Sequence, residues 1–274
     1  TSGSLEKTEI LSGFLKEVDK AKNPEIIFLL EGRIFPDYDE REIGISQKLM
    51  IKVISKATGD SENDVTKEFK KTGDLGRAAE NLMTKKKQSS LFSGKLTTER
   101  VIKNLRKISE IKGKGTIGKK ISFIVELMND ATPKEGRYIV RTILGDLKIG
   151  VGSGILRESI VAYCFNPKDK DEKKQKTNDV QSAFDMTTDF SEVFEKACKN
   201  KLDDVSLSPG KPVKVMLSPK ADDIDDAFKR VGKPAAFEYK YDGFRMLINK
   251  YKEDDEDKIK IFTRRLDNVT NQFP

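Results

Sequence analysis

The chain has 274 residues, with 52 Lys+Arg against 45 Asp+Glu, no His, no Trp and two Cys. That length suits two domains better than one, and a hydrophobic content of 36% is enough to build real cores. The longest apolar run, Ile26 to Leu30, is far too short to span a membrane, and no His or further Cys is there to complete a zinc site around Cys164 or Cys198.

The two cysteines lie far apart in sequence and read as ordinary buried thiols. The N-terminus has neither the charged nor the apolar region of a signal peptide, so the chain reads as intracellular. The net charge of +7 is unevenly spread. From Lys85 to Lys120 there are twelve basic residues and only Glu99 and Glu110 oppose them, a net +10. From Lys201 onward fifteen basic residues meet fourteen acidic ones. A basic front part beside a balanced tail is what a polyanion-binding module attached to something else would show.

The first two hundred residues read almost entirely as helix. Asn23-Pro24 supplies a cap and a first-turn proline, and Gly32 ends that element. Lys85-Lys86-Lys87 reads as a solvated loop. Val101, Ile102, Leu105 and Ile108 recur at helical spacing, as do Ile117, Ile121, Ile124, Val125 and Met128. Between these two runs lies Gly113-Lys-Gly-Thr-Ile-Gly118, which fits the dinucleotide pattern G-x-G-x-x-G. Such a site needs a preceding strand, and a basic helical segment precedes this one, so the dinucleotide reading is rejected. Two readings stay open. One is a plain turn between helices; the other is a turn whose amides and lysines approach a phosphate, with a helix starting at about Thr116.

Thr132-Pro133 opens another helix, with Tyr138, Ile139, Ile143 and Leu144 on one face and Gly145 after it. The stretch from Gly145 to Gly154 either caps one helix and starts the next, or lets backbone glycines and Lys148 approach a sugar-phosphate chain closely. Ile155, Ile160, Val161 and Phe165 predict a further helix. The charged segment Asn166 to Asp179 is expected to be an exposed loop or fraying helix ends, followed by one long helix from about Asp179 to Asn200.

The grammar then changes. Ser206-Leu-Ser-Pro-Gly-Lys-Pro212 is punctuation of the kind that separates domains, and the boundary is placed near residue 207. Beyond it come Val213 to Leu217, a short helix around Ile224 to Val231, and three strand-like runs. These are Ala235 to Tyr241, Phe244 to Tyr251 and Lys258 to Thr263, with an acidic turn at Glu253 to Asp257. The chain is expected to be multidomain, an all-helical unit over 1–206 followed by an incomplete α+β unit over 207–274.

Glu238-Tyr-Lys-Tyr-Asp-Gly-Phe-Arg245 carries the most chemistry. If this run is extended, Glu238, Lys240 and Asp242 fall on one face and the two tyrosines on the other. Gly243 frees the backbone to turn and Arg245 follows as a fixed cation. An amine so placed can attack phosphorus once cations or desolvation help it lose its proton. The plainer reading is a surface strand ending in a charged hairpin turn.

Lys240-Tyr-Asp-Gly-Phe-Arg245 resembles the first signature motif of the covalent nucleotidyltransferases, the group of DNA ligases, RNA ligases and mRNA capping enzymes. Pro212 to Leu217 resembles the lead-in to that motif in ATP-dependent DNA ligases, and Thr263-Arg-Arg-Leu-Asp-Asn268 resembles the ligase motif next in order. Gly73-Asp-Leu-Gly76, Gly113 to Gly118 with Lys119-Lys120, and Gly145 to Val151 resemble landmarks of the all-helical DNA-binding domain of archaeal and eukaryotic ligases.

The resemblance implies an enzyme that seals nicks in duplex DNA. Lys240 would attack the α-phosphate of ATP and become lysyl-AMP. Glu238 would read the adenine amino group, Arg245 would contact the nucleotide sugar or the DNA phosphate, and Arg264 the 5′-phosphate end of the nick. A divalent metal, normally magnesium, would offset phosphate charge; its ligands are not assigned. On the helical part the implied DNA contacts are Lys112, Lys114, Gly115, Thr116, Lys119, Lys120, Lys148 and Gly150. Because aromatics are sparse in the basic stretch, with only Phe92 and Phe123, duplex binding through the backbone fits better than base stacking on a single strand.

Nicked duplex DNA is thus the expected partner of a monomer, with a sliding clamp as a candidate second partner and no membrane. The location would be cytoplasmic in an archaeon and nuclear in a eukaryote. The chain ends 34 residues after Lys240, and is expected to bind DNA without ligating. Two rival readings are an RNA ligase or capping-type enzyme, against which the long helical front argues, and a DNA-binding module without activity.

Overall fold

The computed structural model describes residues 3–39, 41–85, 96–111, 113, 115–215 and 220–273. The expectations on Lys86, Lys87, Phe92, Lys112, Lys114, Met216 and Leu217 lie outside the described residues.

Helices α1 (Ser4–Lys20) and α2 (Ile26–Leu30) open the chain. Six follow: α3 (Gln47–Thr58), α4 (Glu62–Thr72), α5 (Leu75–Lys85), α6 (Thr98–Glu110), α7 (Thr116–Asp130) and α8 (Pro133–Ile143). Next come α9 (Ser153–Cys164), α10 (Lys170–Thr187) and α11 (Phe190–Cys198). The tail holds α12 (Ile224–Val231) and the strands β1 (Met246–Glu253) and β2 (Glu256–Thr263). No helix of the described residues is long and apolar enough to cross a membrane.

The helical part has two cores. Met50, Ile54, Leu105, Ile108, Ile124 and Met128 fill one, built by α3 to α8. The other draws Leu15 from α1 and Ile27 from α2 to meet Ile160, Phe184, Phe190 and Phe194 from α9 to α11. Helix α1 therefore crosses the sequence to lie on α9, where the Ser159 hydroxyl donates to the Thr8 carbonyl and Tyr163 Oη donates to Asp19 Oδ2 at 2.8 Å.

Several element ends follow directly from local chemistry. At α8 the Thr132 hydroxyl accepts from the Glu135 amide while the Glu135 carboxylate accepts from the Thr132 amide, with Pro133 inside the first turn. The same helix stops at Gly145, whose φ of 69° lets the Gly145 and Asp146 amides donate back to Thr142 and Arg141, the double bond of a Schellman end. Asn23-Pro24 does not cap and open the helix as expected: α2 begins at Ile26 with Glu25 as its cap, Asn23 and Pro24 lie in the turn before it, and the Asn23 side-chain amide donates instead to Glu99 Oε1.

The structure corrects two expectations between residues 166 and 200. Residues 170–179 are the first half of α10, because Asp169 caps it by accepting from the amides of Asp171 and Glu172. Their charges mark a solvated helix face, with Lys173 paired to Glu158 of α9. The single long helix is instead two: Thr188 takes a φ of 52° and Asp189 caps α11 through the amides of Ser191 and Glu192. That corner lets Phe184 and Phe190 stack at 3.8 Å between ring centroids.

The punctuation at 206–212 does not hang free. Lys211 pairs with Glu192 of α11 and lies over the Tyr38 ring. The Lys214 amide donates to the Asp185 carbonyl, and its ammonium sits over Phe184. On the other side Asn249 of β1 donates to the Lys211 carbonyl at 2.9 Å and accepts from the Gly210 amide. The strap is thus held between the helical part and the hairpin.

Strands β1 and β2 pair antiparallel from Met246↔Thr263 to Glu253↔Glu256. The turn is Asp254-Asp255, both at positive φ, as a two-residue type I′ turn requires. A third strand over Ala235 to Tyr241 is not formed: among the described residues that run has no ladder partner, since β1 pairs only with β2.

Candidate functional site

Helix α7 begins at Thr116, and its cap is Gly115 in the left-handed conformation. With no side chain there, no side-chain oxygen caps the first turn, and Gly113, Gly115, Gly118 and Lys119 are all exposed. The Thr116 hydroxyl is spent on the Gly113 carbonyl. This end can offer backbone amides and the Lys119 ammonium to an anion. Lys120 differs from its neighbour: its Nζ donates to the Ile43 carbonyl at 2.7 Å, so part of its hydrogen-bonding capacity fastens the 41–46 segment.

The loop after α8 is held from three sides. Arg141, buried in α8, uses Nε and Nη2 on Asp74 Oδ2 at 3.1 and 2.5 Å, and Nη1 on the Leu147 carbonyl. Lys7 of α1 donates to the Gly150 carbonyl at 3.1 Å. Leu147 abuts Gly32 so closely that a Cβ on that glycine would stand 3.3 Å from the leucine's. The loop therefore presents Lys148, at a φ of 53°, and Gly150, at 65°, on a fixed backbone. The Lys148 ammonium stays partly exposed, 3.4 Å from Asp146 and 3.9 Å from Asp74.

Asp74 makes sense of Gly73-Asp-Leu-Gly76. Gly73 ends α4 at positive φ, and Asp74 then accepts from the amides of Gly76 and Arg77 at the start of α5. Burial works to raise the Asp74 carboxyl, but the Arg141 guanidinium and those amides hold it below the usual carboxylate range. Gly76 is required by close approach: a Cβ there would lie 2.7 Å from the Arg137 carbonyl and 2.8 Å from Arg141 Cγ. Gly32 abuts the 145–150 loop at Leu147, and the Ile43 carbonyl is tied to α7 by Lys120.

The run from Glu238 to Arg245 is laid out differently. Every residue from Phe237 to Arg245 is exposed, with Tyr239 at 85% and Tyr241 at 86%. Among the described residues Glu238, Lys240, Asp242 and Arg245 make no hydrogen bond or ion pair, so nothing here enforces the one-faced carboxylate–amine–carboxylate array. One pairing of expected residues is brought about. Met246↔Thr263 ends the ladder, and Arg245 and Arg264, each one residue beyond, leave the same end of the hairpin. Arg264 is exposed on a turn organised by the Thr263 hydroxyl, which accepts from the amides of Arg265 and Asp267.

Among the described residues no group of three or more Cys, Asp or Glu is placed to hold a metal ion. Sequence reasoning missed Lys7, Asp74 and Arg141 as supports of the loop. For Arg141 a signal existed, a cation between Val140 and Thr142 in the apolar second half of α8; for Lys7 there was none.

The sequence matches the family model described as DNA ligase N terminus over residues 1–161, and that described as ATP dependent DNA ligase domain over residues 215–274. A DNA ligase of Thermococcus onnurineus (strain NA1) is 39% identical over 271 residues, which is 98% of this chain and 46% of that protein. A DNA ligase of Methanothermobacter thermautotrophicus is 38% identical over 275 residues, 100% of this chain and 47% of that protein. One of Nanoarchaeum equitans (strain Kin4-M) is 39% identical over 277 residues, again 100% of this chain, and 46% of its own length. The chain spans a little under half the length of these curated relatives.

Proposed function

The chain belongs to the family of ATP-dependent DNA ligases, and from that premise we propose that residues 1–206 grip duplex DNA for an adenylation unit that begins near residue 207. The observation that carries the reading is the fixed loop at 145–150, which presents Lys148 and the backbone of Gly150 from a frame made by the buried Arg141–Asp74 pair and by the bonds of Arg141 and Lys7 to the loop's carbonyls. With Gly115, Thr116 and Lys119 at the open end of α7, these residues take phosphate and sugar contacts. Such contacts carry no sequence information, which suits a protein that must accept a nick anywhere. Lys112 and Lys114 flank the same turn in sequence and are assigned to the same role. Lys120 serves mainly as a fastener, with its remaining donors free for DNA.

In the complete reaction the neutral Lys240 amine attacks the α-phosphorus of ATP. A P–N bond forms, the P–O bond to the β-phosphate breaks, pyrophosphate leaves and the amine loses its proton. The AMP then passes to the 5′-phosphate at the nick, and the 3′-hydroxyl displaces it as the phosphodiester closes. Glu238 accepts from the adenine amino group, and Arg245 and Arg264, at one end of the hairpin, take the phosphate charge. The family works with a divalent metal, to which no residue is assigned here. Lys240 is exposed, and among the described residues no hydrogen bond or ion pair holds its side chain in place for attack. We therefore assign this stretch DNA binding without nick sealing.

Binding to nicked duplex, intact duplex and single-stranded RNA across a salt series tests the assignment. Salt-sensitive binding to DNA duplex with clearly weaker RNA binding is expected. Equal or tighter RNA binding would move the chain to the RNA-modifying relatives, and no binding at all would remove the DNA grip. In a longer chain carrying the rest of the adenylation unit, Lys240→Ala abolishes the AMP adduct and leaves DNA binding intact.

A further inference from the structure

Cys164 and Cys198 have no part in the function above, and the structure places them together. Each is the last residue of its helix, α9 and α11, and their Sγ atoms stand 2.9 Å apart. The two helix ends are built alike. Two residues beyond each cysteine an asparagine, Asn166 or Asn200, turns the chain away at positive φ, with φ values of 44° and 52°. The sequence expectation of two ordinary buried thiols is thus revised, since both are only half-buried and they share one site. No third ligand makes this a metal site among the described residues.

We propose that Cys164 and Cys198 close an intramolecular disulfide that staples the end of α9 to the end of α11. The step is a two-electron oxidation. An Sγ–Sγ bond forms, both thiols lose their protons, and a small-molecule disulfide accepts the electrons and is cleaved to two thiols. The partner thiol and burial push the Cys164 thiol up, with no cation to counter them. The pair is therefore slow to react at rest and is not built as a nucleophile or redox catalyst. Its use is mechanical. The bridge would enclose α10 and α11, including Glu192, to which the strap residue Lys211 is paired, so the surface on which the strap docks becomes fixed to α9.

Incubating the intact chain with oxidised glutathione tests this. The expected product is a monomer two hydrogens lighter, unreactive to maleimide. Its thermal midpoint should lie roughly 10 °C above that of the reduced chain, the size expected for closing a loop of this length in a protein this large. Cys164→Ser and Cys198→Ser should each remove both effects while melting like the reduced parent. Glutathione adducts on both cysteines, disulfide-linked dimers, or thiols that stay open while a control dithiol peptide closes would each overturn the pairing. A closed bridge with an unchanged midpoint would overturn the staple.

Discussion

Arg141 closes on Asp74 across 67 residues of sequence, with two nitrogens on one carboxylate oxygen and the third nitrogen on the Leu147 carbonyl. Both side chains are almost wholly buried, at 6% and 8% exposure, so the pair is a strut and not a surface decoration. Arg141→Met leaves the buried Asp74 carboxylate with only two backbone amides and the Lys148 ammonium at 3.9 Å, and should cost about 3 kcal/mol, the penalty for breaking one side of a buried pair. Urea unfolding followed by helical signal measures it. The double variant with Asp74→Asn should recover a large part of the loss.

Gly76 sits where α5 meets α8. Gly76→Ala forces its methyl against a backbone carbonyl that cannot swing aside, so a loss of about 2 kcal/mol is expected. Gly59, with open space around its Cβ position but a φ of 84°, is the control, since Gly59→Ala tests backbone strain without a clash. A Gly76 variant as stable as the parent would mean that the two helices slide apart at little cost.

Burial pushes the Glu31 carboxyl up to about 7, against the pull of Arg33 and Lys214 and with help from Asp189. An acid whose folded pKa is raised holds its proton longer folded than unfolded. Its contribution is therefore fully present below the ordinary 4.5 and is lost as pH rises through about 7. Glu31→Gln should leave stability nearly unchanged at pH 4 and add on the order of 2 kcal/mol at pH 8, some solvent contact reducing the full effect. Melting both proteins across that range decides it. A constant difference at every pH would show that Glu31 does not titrate in the fold.

Lys148→Ala and Lys119→Ala should each weaken binding to any duplex by a similar factor and lower the slope of log affinity against log salt by about one. Lys7→Ala, which removes the bond to the Gly150 carbonyl, should weaken binding by less and leave the salt slope alone. A Lys7 variant that loses a full unit of slope would make that lysine a DNA ligand in its own right.

The strap offers a proteolytic readout. Asn249→Ala removes both bonds that tie β1 to Gly210 and Lys211. Limited digestion between residues 206 and 215 should then run several-fold faster, with the helical part surviving as a folded product. Unchanged cleavage would mean that Lys211 and Lys214 alone hold the strap.

What the sequence made legible was local. Thr132, Pro133 and Glu135 announce a helix start because the cap and its partner are three residues apart, and Gly145 announces the stop that follows. The start of α7 at Thr116 was legible from the glycine before it. The buried strut was not, because Asp74 and Arg141 meet only after α5 and α8 pack. Nor was the commitment of Lys120, whose acceptor Ile43 is 77 residues away. The run from Ala235 to Tyr241 shows the opposite failure. Its alternating pattern is that of a strand, but a pattern supplies no neighbour to pair with, and the order of motifs around Lys240 was readable without any of its geometry.

The passage of α1 to the far core bears on how the molecule comes into being. A ribosome releases this seventeen-residue helix well before α9 to α11, yet those later helices supply most of the core that takes in Leu11, Leu15 and Val18. Residues 47–143 can meanwhile close their own core on close neighbours in the chain. During synthesis, then, this apolar stripe waits largely uncovered until α9 and the helices after it have emerged. It is the segment for a chaperone to hold, and its docking is the last act of assembling the helical part.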